Sequence, residues 1–355
     1  MERLDLSSPI ESEGICVNRH SKFVASAALL ALAPLGVVLL PAKGNPLATR
    51  GFQFEYVLRI PEVPQGAEKL RVWLPVPQSD ADQVISALVV ESPVPYELHR
   101  EREYGNRYLY LEAAPRSLPK PLEVRLRFNV KRSEHKVSLQ VPVGSRGAVA
   151  ADRAERARSL RADRLVPIDG LIAQLSEQET RGLTKPLDKA RAVYNYVVST
   201  MRYDKSGEGW GRGDALYACN VRKGNCTDFH ALLIGMLRAA GIPARFEIGF
   251  PLPPGQTSGQ IPGYHCWAQF YLDGVGWVPV DASEAWKNPA QREYFFGAHD
   301  PHRVLFTRGR DIRFNPAQQG EALNYFIYPY AELDGKPFDG AKHQFFFRDL
   351  GKAKR

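Results

Sequence analysis

Cysteine is scarce in this sequence: four cysteines among 355 residues are too few for a fold held together by a disulfide framework. Basic residues outnumber acidic ones by 47 to 39, yet no basic motif interleaved with aromatic residues accompanies the excess. Net charge alone is weak evidence for nucleic acid, so we expect no nucleic-acid partner. Hydrophobic residues make up 44% of the chain, which excludes a wholly disordered protein. The length predicts two folded units with additional segments.

Long hydrophobic runs are almost absent, and the one run of near-membrane length lies close to the N-terminus, from Val24 to Leu40. Basic residues precede this run and small residues, among them Ala42 and Ala48, follow it, in the order typical of an export signal. A cleaved signal peptide, a retained membrane anchor and a buried helix are the alternatives for residues 1–48. The first two predict an exported protein, periplasmic or secreted, with the inner membrane as the location of a retained anchor.

Alternating hydrophobic residues dominate the region from residue 50 to residue 142. Apolar and polar residues alternate from Phe52 to Ile60 and again from Val124 to Val130, which is the period of strands with one buried face. Shorter runs are separated by proline, glycine and asparagine turn signals. The pattern predicts an all-β domain, an immunoglobulin-like sandwich. Cysteine is absent from this region, so we interpret it as a packing or recognition module.

Arginine and alanine are concentrated between residues 143 and 166, a composition that predicts a basic linker or a short exposed helix. Helical periodicity follows, first at Asp169–Glu179 and then from Pro186 to Met201, where an apolar face is evident. The glycine-rich segment from Ser206 to Asp214 lacks the Gly-Lys-Ser/Thr ending of a phosphate loop, so we interpret it as an ordinary loop. These signals open a second unit over residues 167–350.

The clearest helix of the chain begins at a cysteine. After Gly224-Asn225-Cys226, apolar residues recur with helical spacing up to Leu237, and Gly241 terminates the pattern. Cys226 therefore lies in the first turn, where unpaired backbone N–H groups and the helix dipole favour a thiolate. A nucleophilic thiol is one interpretation of this residue, and an ordinary buried cysteine is the other.

A β-hairpin is predicted downstream of this helix. His265 opens an alternating run, a turn signal follows at residues 273–276, and the return strand ends at Asp281. A three-residue loop with Tyr271 opposite Val275 would set His265 directly opposite Asp281. The histidine and the aspartate would then face a cleft, together with Trp267. A helix-terminal thiol, an imidazole and a carboxylate are the groups that covalent acyl transfer requires.

The segments Gly224–Phe250, Tyr264–Ala285 and Met201–Asp204 resemble the bacterial transglutaminase-like proteins, which carry Cys, His and Asp in this chain order. The resemblance implies an α+β fold, a papain-like transglutaminase core preceded by the all-β domain. It implies that Cys226 is the nucleophile, His265 the general base and acid, and Asp281 the orienting carboxylate. It also implies a thiol-dependent enzyme without a cofactor. Such an enzyme would act on protein or peptide amide bonds through a thioester, by cysteine protease-like hydrolysis, deamidation or transamidation.

Further candidates concern the oxyanion and the cleft. The backbone N–H of Cys226 is one expected oxyanion donor. Asn220, six residues upstream, matches the offset at which papain-like enzymes place a side-chain amide, while a loop-capping role is its alternative. Three other residues are candidates for the cleft: Trp210, Tyr217 and His230. A buried structural histidine is the alternative for the last of these.

Three other hypotheses remain to be weighed. The spacing of the cysteines and histidines lacks any Cys-x-x-Cys or His-x-x-x-His pair, so we expect no metal. Cys266 stands where the family often has alanine, and a disulfide between Cys219 and Cys266 remains open in an oxidising compartment. A papain-like core can also persist as a binding scaffold, so a non-catalytic module in the cell envelope is the alternative function.

Overall fold

The computed structural model describes residues 47–140 and 153–351, so the hydrophobic segment Val24–Leu40 and residues 143–152 of the predicted linker lie outside the described residues. The strands are β1 (Thr49–Ile60), β2 (Leu70–Val76), β3 (Gln83–Glu91), β4 (Glu97–Arg100), β5 (Arg107–Ala113), β6 (Leu122–Ser133), β7 (His135–Lys136), β8 (Arg202–Tyr203), β9 (Lys223–Gly224), β10 (Ala244–Pro251), β11 (Ser258–Gln260), β12 (His265–Leu272), β13 (Gly276–Val280), β14 (Ala298–His299), β15 (Arg303–Arg308), β16 (Tyr330–Leu333), β17 (Lys336–Pro337) and β18 (Lys342–Asp349). The helices are α1 (Arg153–Arg158), α2 (Gly170–Thr180), α3 (Pro186–Thr200), α4 (Ala215–Val221), α5 (Cys226–Ala239) and α6 (Ala282–Lys287). Within the described ranges, none of these helices has the length and hydropathy needed to cross a bilayer.

Two five-stranded sheets form the β region, in the orders β11-β18-β1-β6-β3 and β17-β16-β2-β5-β4. Alternation in β1 buries Phe52, Phe54, Tyr56 and Leu58 completely, as a period of two requires for one core-facing side. Side chains from both sheets belong to one apolar core. The predicted N-terminal β region is therefore present.

The C-terminal strands complete both sheets of this β region. β18 lies antiparallel to β1, with Phe347 opposite Phe54. β16 lies antiparallel to β2, with Tyr330 opposite Trp73. The edge that β1 would otherwise leave open is thus paired by a strand from the other end of the described chain.

A four-stranded antiparallel sheet, in the order β13-β12-β10-β15, packs against α5. Helices α2 and α3 pack on the other sides of α5, and nearly every residue of α5 is buried. The three helices predicted from periodicity begin and end within two residues of their expected bounds. This arrangement places the start of α5 beside the start of β12.

The predicted register of the hairpin is wrong by two positions. β12 and β13 pair Leu272 with Gly276, not Tyr271 with Val275, and β13 ends before Asp281. The reason lies in the turn, because positive φ angles at Gly274 (80°) and Gly276 (96°) shift the three-residue loop one position along the chain. An even shift keeps every side chain on its predicted face.

Candidate active site

The start of α5 is fixed by its capping residues. Asn225 is the N-cap, and its side-chain oxygen accepts the backbone N–H of Thr227 at 2.9 Å. The Asp228 carboxylate accepts the backbone N–H of Asn225 at 2.9 Å, which completes a capping box. Cys226 is therefore the first helical residue, only 2% exposed. Across residues 47–140 and 153–351, no hydrogen bond uses its backbone N–H.

Asp228 also ties the glycine-rich loop to this helix start. Its two carboxylate oxygens accept the backbone N–H groups of Gly211 at 2.7 Å and Gly213 at 3.0 Å. Gly224 passes close by, and a Cβ there would lie 2.2 Å from a carboxylate oxygen of Asp228. The loop is therefore an ordered wall beside Cys226, which its glycine content alone does not indicate.

His265 and Asp281 meet although they are not paired across the hairpin. The Nε2 atom of His265 lies 2.8 Å from Oδ2 of Asp281. Asp281 follows β13 and caps α6, so its Oδ1 accepts the backbone N–H of Glu284 at 3.0 Å and the Ser283 hydroxyl at 3.1 Å. The Nη1 group of Arg303 donates to Oδ2 at 3.1 Å. The carboxylate is thus held by four donors.

The electrostatics of these groups favour a charged pair. Burial lowers the pKa of His265, but the charge and hydrogen bond of Asp281 and the contact with Cys226 raise it to about 10. Burial raises the pKa of Cys226, but hydrogen bonds with Cys266 and His265 and the positive charge of His265 hold it well below its usual value. Because Nε2 is taken by Asp281, Nδ1 is the nitrogen that remains for the thiol. The arrangement favours thiolate and imidazolium over thiol and imidazole.

His230 lies beneath these groups and is completely buried. Its Nδ1 is 2.8 Å from the carbonyl oxygen of Cys226, and its Nε2 accepts the backbone N–H of Ala282 at 3.3 Å. Burial lowers the pKa of this imidazole, so it stays neutral. The structure therefore favours the structural interpretation of His230 over a position in the cleft.

Trp267 is also completely buried and does not line a cleft. Its indole N–H donates to Glu247 at 2.7 Å, and the Arg303 guanidinium stacks over its ring at 4.8 Å. The expectation that this face of β12 is open was wrong, because β10 and β15 supply side chains that cover it.

The remaining candidates lie on the loop and on α4. Trp210 is half-buried, with the Lys205 ammonium 5.9 Å from its ring. Tyr217 is half-buried too, and its hydroxyl has no hydrogen-bond partner among the described residues. Asn220 is exposed near the end of α4, and within the described part of the chain its side chain makes no hydrogen bond to Cys226 or His265.

Cys219 and Cys266 are both free thiols, the first half-buried and the second buried. The sulfur of Cys266 lies 3.6 Å from Nδ1 of His230, on the core side of β12 as expected. No group of three or more potential metal ligands occurs within the described ranges.

Sequence reasoning missed two residues of this site, Arg303 and Tyr264. Arg303 has no local signal, since it belongs to a different strand from Asp281. Tyr264 directly precedes His265, and its hydroxyl accepts a hydrogen bond from the side chain of Asn225 at 3.1 Å. The position of Tyr264 next to His265 was the signal that the sequence offered. A cavity of about 570 Å³, lined in part by Glu284 and Arg303, opens on the other side of His265.

Comparison with known proteins shows which proteins this chain is similar to. Residues 173–282 match the model of the transglutaminase-like superfamily core. An uncharacterized protein of Haemophilus influenzae is 27% identical over 321 residues, covering 81% of this chain and 86% of that protein. A proposed cysteine protease of Cytophaga hutchinsonii superposes with a TM-score of 0.60 at 17% identity, covering 85% of this chain and 91% of that one. The predicted resemblance and the α+β fold with a preceding β region are confirmed.

Proposed function

We propose that this chain, which carries a transglutaminase-like superfamily core, is a cysteine-nucleophile acyl-transfer enzyme that acts on protein or peptide amide bonds. One observation carries the proposal. Cys226, the first residue of a helix, contacts an imidazole whose other nitrogen is held 2.8 Å from a buried, four-fold hydrogen-bonded carboxylate. These are the geometry and protonation states that a covalent acyl-transfer site requires.

The proposed reaction proceeds in two stages. The Cys226 thiolate attacks the amide carbonyl, and the resulting adduct collapses when His265 protonates the leaving amine, which leaves a thioester on sulfur. His265 then takes a proton from water as it attacks the thioester, and a carboxylic acid is released with the thiolate restored. Asp281 orients the imidazole and stabilises its charged form throughout.

Hydrolysis is the outcome that the surroundings of His265 favour. The 570 Å³ cavity beside this residue has a mixed lining, in which charged side chains such as Glu284 and Asp300 accompany apolar ones such as Leu252 and Phe295. Such a lining admits water to the imidazole, whereas transfer to an amine requires water to be excluded from the thioester. We therefore propose peptidase-like amide hydrolysis, with transamidation as the second outcome of the same thioester.

The location of the proposed activity is outside the cytoplasm. This part of the proposal depends on the hydrophobic segment Val24–Leu40 and the basic residues before it. Fractionation of cells that express the full chain would test it, and recovery of the protein from the cytoplasm alone would contradict it.

The experiment that tests the activity is incubation of the full chain with a peptide library, with and without a primary amine, read by mass spectrometry. Cleaved peptides indicate hydrolysis of the main chain, a gain of about one mass unit on glutamine indicates deamidation, and amine adducts indicate transamidation. Cys226→Ala is the matched control and should abolish all three. A folded wild type that gives none of these products would favour the alternative, a non-catalytic binding scaffold.

A further inference from the structure

The tetrahedral adduct of the proposed reaction carries an oxyanion that needs two hydrogen-bond donors. The backbone N–H of Cys226 is one, because it has no partner among the described residues and lies at a helix N-terminus. Asn220 is the side-chain donor that the sequence suggests, but its side chain is exposed and makes no hydrogen bond to the site residues within the described ranges. The second donor is therefore unassigned.

Tyr264 occupies the position that such a donor needs. Tyr264 directly precedes His265, and Asn225 directly precedes Cys226. The hydrogen bond of 3.1 Å between the side chains of Asn225 and Tyr264 links the helix of the nucleophile to the strand that carries the imidazole. Tyr264 is half-buried, whereas the opposite side of the site is filled by the fully buried His230. Tyr264 is thus on the side from which a substrate can approach.

The phenol of Tyr264 stays protonated in this position. Burial raises its pKa, and the negative charge on Cys226 raises it further. A protonated hydroxyl is a donor as well as an acceptor.

The hydrogen bonds around Tyr264 leave its proton uncommitted. The side-chain oxygen of Asn225 accepts from the backbone N–H and the hydroxyl of Thr227, so its amide nitrogen is the atom that donates to the Tyr264 oxygen. The nearest other hydroxyl, that of Tyr325, is 3.5 Å away, at the limit of a hydrogen bond. Tyr325 itself donates to the carbonyl of Gly211 at 3.0 Å. Among the residues that the structure describes, the hydroxyl proton of Tyr264 therefore has no short acceptor, and a substrate oxygen could supply one.

We propose that the Tyr264 hydroxyl and the backbone N–H of Cys226 form the oxyanion hole of this site, a role that rests on the proposed function. As the bond between sulfur and carbon forms, the carbonyl π electrons move onto oxygen, and that oxygen accepts both hydrogen bonds. As the C–N bond breaks, the electron pair returns to the carbonyl and the amine leaves with a proton from His265. Tyr264 donates a hydrogen bond and transfers no proton.

The first test compares three variants of the full chain on any substrate that the wild type hydrolyses. Tyr264→Phe should lower kcat by about 100-fold or more with KM little changed, because the lost interaction exists only in the transition state. Tyr325→Phe removes a hydroxyl 3.5 Å away and is the matched control, and Asn220→Ala removes the competing donor. Both should lose far less activity. A large loss in Asn220→Ala with none in Tyr264→Phe would overturn the proposal.

The second test separates donation to an oxyanion from a structural role. A peptide aldehyde adds to the thiolate and creates a tetrahedral oxygen, whereas iodoacetamide reacts with the same sulfur without creating one. Tyr264→Phe should weaken aldehyde binding by about 10-fold or more and leave the rate and pH dependence of alkylation unchanged. Unchanged aldehyde affinity would overturn the proposal, and so would an equal loss of alkylation. A wild type that alkylates normally but turns over no substrate would contradict the proposed function instead.

Discussion

Each oxygen of the Asp281 carboxylate faces a histidine, and the two imidazoles are in opposite protonation states. His265 lies 2.8 Å from Oδ2 and His230 lies 3.6 Å from Oδ1, and both rings are buried. The pKa of His265 is raised and that of His230 is lowered. Burial is common to both, so the difference arises from the partners of each ring. His265 makes a short hydrogen bond to Asp281 and contacts the acidic thiol of Cys226. In His230, the Nε2 atom that faces Asp281 accepts the backbone N–H of Ala282, which only the neutral form can do.

The largest expected effects, on activity and on stability, come from substituting each of the two histidines by alanine. His265→Ala should lower kcat/KM by about 10²- to 10⁴-fold. His230→Ala should instead lower the free energy of unfolding by about 2–4 kcal/mol, because it removes a buried ring and leaves the Ala282 N–H unpaired. Steady-state kinetics and urea denaturation of both variants measure the two quantities. If the two variants lose equal activity and have equal stability, the assignment of a catalytic role to His265 and a structural role to His230 is wrong.

Arg303 is a second cation beside Asp281, after His265, and it joins that carboxylate to Asp300. Arg303→Met leaves the buried Asp281 carboxylate and the half-buried Asp300 carboxylate without this cation, and should cost about 3–5 kcal/mol of unfolding free energy. Arg303→Lys keeps the charge but not the two-pronged geometry, so we expect an intermediate loss. Thermal and urea unfolding of both variants at pH 7 provide the measurement. If Arg303→Met leaves the unfolding free energy unchanged, Asp281 needs no counterion besides His265.

The two histidines should also give opposite pH dependences of stability. The pKa of His265 rises from about 6.5 in the unfolded chain to about 10 in the folded protein. Its stabilisation is therefore complete below pH about 6.5 and is lost as the pH rises towards 10. The pKa of His230 is lowered by folding, so its contribution is complete above the unfolded value of about 6.5 and declines as the pH falls.

Urea denaturation between pH 5 and pH 10 distinguishes these two trends. The stability difference between the wild type and His265→Gln should shrink towards alkaline pH. The difference between the wild type and His230→Gln should shrink towards acidic pH. Parallel curves for the two variants would contradict the assignment of charge to His265.

The smallest expected effect belongs to Cys266. Hydrogen bonding with Cys266 lowers the pKa of Cys226, so Cys266→Ala should move the pH midpoint of Cys226 alkylation upward. The shift should be smaller than that of His265→Gln, which also removes a positive charge. Alkylation rates across a pH series measure both midpoints. A midpoint that moves downward in Cys266→Ala would show that the second thiol does not stabilise the thiolate.

Local sequence patterns predict much of this structure. The features that they do not predict are contacts between elements that are distant in the sequence. Periodicity and a turn signal place Cys226 at its helix start within one residue. The proximity of His265 and Asp281 was predicted from a wrong register, and it occurs because Asp281 caps α6 and reaches back with its side chain. Arg303 could not be predicted, because its partner Asp281 lies on another element and leaves no periodic trace in the sequence. The position of Tyr264 next to His265 was visible in the sequence, but its hydrogen bond to Asn225 was not.

The pairing of β18 with β1 has a consequence for how the chain folds. The ion pair that joins these strands, between Arg50 and Asp349, spans 299 positions. Contacts of such high contact order form late, since the loop-closure entropy must be overcome before they stabilise anything. During synthesis one edge of β1 stays unpaired until almost all of the described chain has been made. The topology therefore postpones completion of the first sheet until β18 has been synthesised.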